Sequence, residues 1–209
     1  VITSVDTRLK AATATMIVFT FPGQGSQKPG MGDVWRDHPS WELVAEASSV
    51  LNRDLAHLLL HTEAEELTRT DNAQLSTFLT SLIVLDAVER LGVEPAAAAG
   101  HSLGEYTALV TSGALAFDEG LTLVAERGAA MLEATTARVG TMAAVLGLDD
   151  DDVEAACARV DGDVWVANYN APGQVVIAGD PDAIAQASEI AKELGAKKVM
   201  SMAVSGAFH

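Results

Sequence analysis

The stretch AAAAGHSLGEYTALVTSGAL, residues 96–115, decides the fold of this chain. Pro95 and Gly100 bracket a segment that is too short for a helix, so we expect a strand there, although alanine favours helix by propensity. A helical pattern follows from about residue 104 to residue 112 and stops at Gly113. A strand followed by a sharp turn and a helix is typical of α/β folds with a parallel sheet.

Ser102 lies in the centre of this turn, and Gly100 and Gly104 flank it in a G-x-S-x-G pattern. In a nucleophile elbow the glycines are needed because the tight turn leaves no room for side chains, and the helix behind the serine offers a backbone N–H to a developing oxyanion. The pattern therefore predicts a serine nucleophile. The alternative is a small polar residue in a glycine-rich turn.

A serine nucleophile needs a base, and the chain has five histidines. Three of them precede the motif: His38, His57 and His61. His57 and His61 share a helical spacing, but no carboxylate stands between them to suggest a zinc-protease helix, so we interpret these two as structural. His101 adjoins the serine and is expected to line the pocket rather than to act as the base. Only His209 lies downstream, which gives the Ser…His order of serine acyl-transfer enzymes. This order alone does not establish that the two side chains meet.

Two further features could contribute to such a site. Gln24 stands between two glycines in FPGQGSQ, residues 21–27, where a flexible backbone could aim a second N–H at an oxyanion. Arg127 borders the apolar stripe of a helix that we expect Asp118 to cap and that runs to about residue 137. It has no carboxylate at helical pairing distance, so a substrate carboxylate could occupy its planar fork. The alternatives are an ordinary glycine turn and a surface arginine.

The pattern of elements predicts two domains. A buried strand at residues 16–21 opens a large α/β domain that extends to residue 139, and residues 1–15 are interpreted as a leader or linker. Residues 140–203 follow a β-α-β-β-α-β order, which is typical of a ferredoxin-like small domain.

Composition limits the possible functions. The 209 residues carry a formal net charge of −16, which argues against binding to nucleic acid. No apolar run is long enough to span a membrane, so we expect a soluble protein. The single cysteine, Cys157, provides neither a disulfide nor a thiolate metal site, which is consistent with a reducing cytoplasm.

Several motifs taken together resemble those of malonyl-CoA:acyl carrier protein transacylases and of the acyltransferase domains of polyketide and fatty acid synthases. They occur in the same order in this chain: FPGQGSQ at 21–27, GHSLGEYTAL at 100–109, ERG at 126–128, NYNAPGQVVIAG at 168–179 and SGAFH at 205–209. The resemblance implies a hydrolase-like large domain with a parallel sheet and an inserted ferredoxin-like small domain.

The resemblance also implies a role for each matching residue. Ser102 would be acylated, and His209 would act as the base. The N–H groups of Gln24 and Leu103 would form the oxyanion hole, and Arg127 would bind the free carboxylate of malonate. The remaining pocket residues would be His101, Asn170 near the histidine, and Phe208, whose ring leaves little room for a methyl branch.

The implied reaction is a ping-pong transfer of malonyl from malonyl-CoA to the phosphopantetheine thiol of an acyl carrier protein, with no metal or redox cofactor. Because both partners are anionic, we expect local cations near the cleft: Lys28, Lys192, Lys197 and Lys198. Members of the family continue beyond this histidine, so the chain is expected to be a C-terminally truncated member. Met16 as a natural start would favour a free-standing enzyme.

Two other functions remain open at this point. A serine esterase or thioesterase could use the same nucleophile elbow, and an acid that orients its base could lie anywhere between Ser102 and His209. A carrier-protein docking module without catalytic activity is the second alternative.

Overall fold

The computed structural model describes residues 16–202, 204 and 206–209. The predicted leader, residues 1–15, lies outside the described residues. Contacts divide the chain into two compact units, the first ending at Glu126 and the second running from Arg127 to His209. The domain boundary expected between residues 139 and 140 stays a prediction.

The first unit combines helices with a parallel pair of strands. Two short 3₁₀ turns, Asp33–Trp35 and Pro39–Trp41, precede its first helix. Its strands and helices in chain order are β1 (Val18–Phe21), α1 (Glu42–Leu51), α2 (Leu55–Leu60), α3 (Ala64–Leu67), α4 (Thr70–Glu89), β2 (Ala97–Gly100), α5 (Gly104–Thr111) and α6 (Phe117–Ala137).

Strands β1 and β2 pair in parallel, with Val18 opposite Ala97 and Phe21 opposite Gly100. The strand expected before the glycine–serine motif is therefore confirmed. Alanine favours helix locally, but the backbone of β1 offers a row of hydrogen-bonding partners that a helix over this short segment could not use. The parallel sheet places the ends of both strands at the same edge.

Helix α4 forms the centre of the first core. Phe78, Leu79 and Ile83 are almost completely buried on it, and polar residues such as Gln74 are buried as well. A helix that is buried on all sides has no single apolar stripe, which explains its weak amphipathic pattern. The fully buried side chain of Leu103 joins the same core, so the turn that carries Ser102 is anchored in it.

Helix α6 begins at Phe117, so the prediction that Asp118 caps it was wrong. The N–H of Ala116 instead donates to Oε2 of Glu119 over 3.0 Å. This is one half of a capping box, in which the third helical residue reaches back to the residue before the helix. Asp118 lies in the first turn, where its charge still favours the positive helix end.

The second unit contains the predicted β-α-β-β-α-β order. Its elements, after the end of α6, are β3 (Thr141–Leu146), α7 (Asp150–Ala158), β4 (Val164–Ala171), β5 (Gln174–Gly179), α8 (Pro181–Glu193) and β6 (Lys198–Ser201). The four strands form one sheet in the order β4-β5-β3-β6, and all neighbours are antiparallel.

Both faces of this sheet are apolar. Val145, Val175 and Ile177 belong to the cluster that also contains residues of α7 and α8. Met142 and Val176 belong to a second cluster, which includes Phe208. The final residues of the chain are therefore packed on the sheet. Within the described residues, no helix is long and apolar enough to cross a membrane.

Candidate active site

The turn between β2 and α5 holds Ser102 in a strained conformation. Its φ is +52°, in the left-handed region that serine rarely adopts. Two backbone hydrogen bonds close the turn: Gly104 N–H donates to the His101 carbonyl over 2.9 Å, and Glu105 N–H donates to the Ser102 carbonyl over 3.1 Å. Because the adjacent Leu103 is buried, the surroundings hold the turn in this strained conformation.

The two glycines of the motif allow backbone segments to approach closely. A Cβ on Gly100 would lie 1.9 Å from the carbonyl carbon of Gly104, and a Cβ on Gly104 would lie 2.2 Å from the carbonyl oxygen of Phe21. Neither distance is possible for a side-chain carbon. The glycines are therefore required for space, which confirms the physical reason given for the motif from sequence.

The loop after β1 lies against this turn. His101 N–H donates to the Phe21 carbonyl over 3.1 Å. A Cβ on Gly23 would come within 2.8 Å of the His101 oxygen and 3.1 Å of its Nδ1. Gly25 has a φ of +110° and donates its N–H to Oε1 of Gln27 over 2.8 Å, which fixes the other side of Gln24. The structure thus brings the Gln24 loop to the turn that carries Ser102.

Leu103 immediately precedes α5, and its main chain stands at the N-terminal end of that helix. The first N–H groups of a helix have no acceptor within the helix, and the helix dipole adds positive potential there. An anion that forms beside Ser102 would meet this end of α5. The position is suitable for the predicted oxyanion donor.

Arg127 and His209 line one cavity of the second unit. The cavity measures about 350 Å³, and its other lining residues are Ala130, Met131, Ala134 and Phe208. Arg127 is half-buried, and His209 is exposed. The structure therefore brings together a guanidinium and an imidazole that are 82 positions apart in the chain (209 − 127). Their shared cavity could hold a carboxylate close to a proton acceptor.

His209 itself has left-handed backbone geometry, with a φ of +67°. Its carbonyl oxygen accepts a hydrogen bond of 2.9 Å from the indole Nε1–H of Trp165. Sequence reasoning missed Trp165. No pattern along the chain could have identified it, because the contact joins residues on different parts of the fold.

Asn170 is exposed near the end of β4, and it is not among the described residues that line the cavity of Arg127 and His209. Its predicted supporting role near the histidine stays a prediction. Phe208 is half-buried and lines two cavities, the one that holds His209 and a smaller one of about 200 Å³ that includes Trp165.

The other histidines lie elsewhere in the first unit. Nδ1 of His38 accepts the N–H of Ser40 over 3.2 Å and so caps the second 3₁₀ turn. The rings of His57 and His61 stand 5.8 Å apart at the end of α2. His38 therefore has a structural role in this turn.

Comparison with known proteins identifies the family. The sequence model of the acyl transferase domain family matches residues 18–209, which is most of the chain. The chain belongs to the acyl transferase domain family. Within this acyl transferase family, it is 44% identical over 198 residues to the malonyl CoA-acyl carrier protein transacylase of Bacillus subtilis (strain 168), a match that covers 92% of this chain and 62% of that protein.

Solved structures of acyl transferases are also similar. The acyl-carrier-protein S-malonyltransferase of Burkholderia pseudomallei 1710b has 45% identity and a TM-score of 0.86, with coverage of 93% of this chain and 64% of that chain. A malonyl transacylase solved in complex with a type II PKS acyl carrier protein has 38% identity and a TM-score of 0.86, with coverage of 92% and 64%.

This acyl transferase chain therefore spans somewhat less than two thirds of the length of the relatives that it matches: 62% in the curated example and 64% in both structures.

Proposed function

We propose that this protein transfers a malonyl group from malonyl-CoA to the phosphopantetheine thiol of an acyl carrier protein. The observation that carries this proposal is the left-handed turn at Ser102, where Gly100 lies against the backbone of Gly104 and Gly104 lies against the backbone of Phe21. A strained serine at the N-terminal end of a helix is arranged for nucleophilic attack. The names of the similar transacylases supply the substrate and the partner.

In the first half-reaction, Oγ of Ser102 attacks the thioester carbonyl carbon while the imidazole of His209 accepts the hydroxyl proton. The N–H groups of Gln24 and Leu103 stabilise the negative charge on the carbonyl oxygen. The C–S bond then breaks, and coenzyme A leaves as a thiol with the proton from the imidazolium. The malonyl group remains as an ester on Ser102.

In the second half-reaction, His209 accepts the proton of the carrier thiol, whose sulfur attacks the malonyl ester. The C–O bond breaks, and Ser102 regains its proton from the imidazolium. Serine, imidazole and main-chain N–H groups perform every step, so the proposed reaction uses no metal or redox cofactor. Water must be excluded between the two halves, because it would hydrolyse the ester.

Arg127 is proposed to bind the free carboxylate of the malonyl group. Its guanidinium lies in the cavity that also contains His209, and a planar fork can hold a carboxylate by two parallel hydrogen bonds. The Phe208 ring lines the same cavity and would exclude a methyl branch beside the carboxylate. His101 and Asn170 are proposed to complete the substrate pocket.

The finer architecture follows from the same inference. We assign the first unit to a hydrolase-like α/β domain, supported by the parallel β1–β2 pair and the turn at Ser102. We assign the second unit to a ferredoxin-like domain, supported by its element order and by the antiparallel sheet order β4-β5-β3-β6.

The acyl-enzyme is tested by incubating the protein with radiolabelled malonyl-CoA and locating the label by peptide mass spectrometry. We expect one malonyl group on Ser102 and none on the Ser102→Ala variant. Absence of label from the parent protein would contradict the proposal and leave only a carrier-protein docking function.

Arg127 separates a malonyl transferase from an esterase or thioesterase with the same elbow. Arg127→Ala should lower the rate of malonyl loading about 100-fold, because an anchored carboxylate loses a bidentate partner worth several kcal/mol, whereas any acetyl loading should change little. Arg127→Lys keeps the positive charge but lacks the planar fork, so its rate of malonyl loading should lie between those of the parent and Arg127→Ala. Equal loading by Arg127→Ala and the parent would favour the hydrolase.

The four lysines expected near the cleft are proposed as the contact for the acidic carrier protein and coenzyme A. Lys28, Lys197 and Lys198 are exposed, and Nζ of Lys192 forms a 2.6 Å ion pair with Glu189. Charge reversal at Lys198 should slow transfer to the carrier protein at low salt and have little effect at high salt, because exposed charges are screened. Unchanged carrier kinetics at low salt would contradict this contact.

A further inference from the structure

The main-chain position of His209 depends on contacts within the second unit. Its φ of +67° is a conformation that costs an L-residue about 1–2 kcal/mol, so surrounding contacts must maintain it. The direction of the Cα–Cβ bond follows from the backbone, and the imidazole can reach only the positions that this direction allows. Whatever fixes the backbone of His209 therefore also aims its imidazole.

Trp165 supplies such a contact. Its indole Nε1–H donates to the His209 carbonyl over 2.9 Å, a normal length for a well-formed hydrogen bond. Trp165 lies near the start of β4, an edge strand that pairs with the internal strand β5. The donor is therefore attached to a sheet rather than to a loop.

The segment before His209 is held by the same surroundings. A Cβ on Gly140 would lie 2.6 Å from the N atom of Ala207, so the backbone there lies directly against the start of β3. Trp165, Ala207 and Phe208 line one cavity of about 200 Å³. Trp165 therefore lies beside residues 207–209, with its ring lining the same cavity and its N–H bonded to His209.

We propose that Trp165 is a positioning residue for the His209 imidazole. The indole N–H fixes the carbonyl of His209 and thereby holds its backbone in the left-handed conformation that directs the ring into the cavity with Arg127. The inference rests on the proposed function only because the proposed function assigns His209 as the base. Trp165 itself does not touch the reacting atoms.

The test compares two substitutions at the same position in the full chain. Trp165→Phe keeps an aromatic ring and removes the N–H. Trp165→His places Nε2 of a five-membered ring where the indole has Nε1, and the neutral Nε2–H tautomer donates from that atom. The matched control is Tyr169→Phe. Tyr169 lies on the same strand as Trp165, and this substitution removes the hydrogen bond from its hydroxyl to Glu154 of α7.

Malonyl loading at pH 8 is the first readout. We expect Trp165→Phe to lower kcat about 10-fold with little change in KM, because a displaced base costs rate rather than substrate affinity. Trp165→His should recover most of that loss, and Tyr169→Phe should remain within about two-fold of the parent. A kcat for Trp165→Phe equal to that of the control would overturn the inference.

The second readout does not require activity. The Cε1–H resonance of the His209 imidazole is identified by its absence in His209→Gln. We expect this resonance to shift in Trp165→Phe and to return toward its original position in Trp165→His. An unchanged resonance in Trp165→Phe would overturn the inference even if the parent failed to load malonyl, whereas that failure alone would count only against the proposed function.

Discussion

The main-chain N–H of His101 donates to the carbonyl oxygen of Phe21 across 3.1 Å. The bond joins the first residue after β2 to the last residue of β1, so the loops that follow both strands begin at one point. Ligands of parallel α/β sheets bind at the carboxyl ends of the strands, where such loops meet. This relationship explains how the glycine loop near residue 24 lies against the turn of a serine 78 positions later in the chain (102 − 24).

The close approach of Gly104 to Phe21 predicts a large effect of a single methyl group. In Gly104→Ala, the new Cβ would meet a backbone oxygen at 2.2 Å, and neither segment can move without breaking the β1–β2 pair. We expect the free energy of unfolding in urea to fall by roughly 3 kcal/mol, at the upper end of overpacking effects.

Gly92→Ala is the control for that measurement. Gly92 has a φ of +77° and open space around its Cβ position, so an alanine there would have a strained backbone but no steric clash. Its expected loss is about 1 kcal/mol. Equal losses in the two variants would show that the close approach does not limit stability.

The left-handed backbone of Ser102 predicts that replacement of this serine by glycine stabilises the protein. Glycine adopts a φ of +52° without steric penalty, so Ser102→Gly should raise the free energy of unfolding by about 0.5–1 kcal/mol while abolishing acylation. Ser102→Ala should abolish acylation without this gain.

Asn52 provides the comparison, because it also has a positive φ, 46°, at the end of α1. Asparagine tolerates this conformation better than serine, so Asn52→Gly should gain less than Ser102→Gly in the same urea titration. A loss of stability in Ser102→Gly would contradict strain at the turn.

Burial of Cys157 predicts slow alkylation. Removal from water, reinforced by the nearby charge of Glu154, raises the pKa of the thiol from 9.0 to about 11. At pH 9 the thiolate fraction should therefore be about 50-fold smaller in the folded protein than in the unfolded chain, before steric protection is considered. Iodoacetamide labelling followed by mass spectrometry measures this ratio, and rapid labelling of the native protein would refute the buried position.

Asp86 predicts a loss of stability in acid. Burial opposes ionisation of this carboxyl, but the nearby Ser40 side chain and the hydrogen bond and charge of Arg90 outweigh it and lower its pKa below 3.8. Because the pKa is lower in the folded state, the stabilisation is present above pH 3.8 and is lost as the pH falls through the folded value.

Asp86→Asn should accordingly lower the free energy of unfolding at pH 7 by about 0.5–1 kcal/mol, since the 2.6 Å pair with Arg90 is partly exposed. The difference from the parent should vanish near pH 2. Glu42→Gln removes the more exposed partner of the same arginine and should have a smaller effect. A difference that persists in acid would exclude the ionised carboxylate as its source.

Local patterns predicted most elements because each has a period or a boundary residue. The strand at residues 97–100 was predicted against the helix propensity of alanine, because Pro95 and Gly100 bracket a segment too short for a helix. Its pairing with β1 explains why the strand forms there. Helix α2 escaped prediction because its six residues are too few to show a period. Its start could have been recognised from Asp54, which accepts the N–H of His57.

The candidate site likewise contains one feature that a local motif predicts and one that depends on tertiary packing. The turn at Ser102 is encoded by glycines two residues away on either side, so a short motif is sufficient to predict it. The hydrogen bond between Trp165 and His209 joins residues 44 positions apart and depends on how the last segment lies on the sheet. A contact of this kind follows from tertiary packing and leaves no pattern in one sequence.

The pairing of β3 with β6 places Ala143 beside Ser201, and the N–H of Met202 donates to the Met142 carbonyl over 2.9 Å. The two ends of the segment 141–202 thus emerge side by side. A segment whose two ends lie side by side can be replaced by the corresponding segment of a relative, because the distance between the flanking residues does not change. Chimeras that graft this stretch from one relative into another should therefore fold when the residues that pack against Phe208, such as Met142 and Val176, are retained.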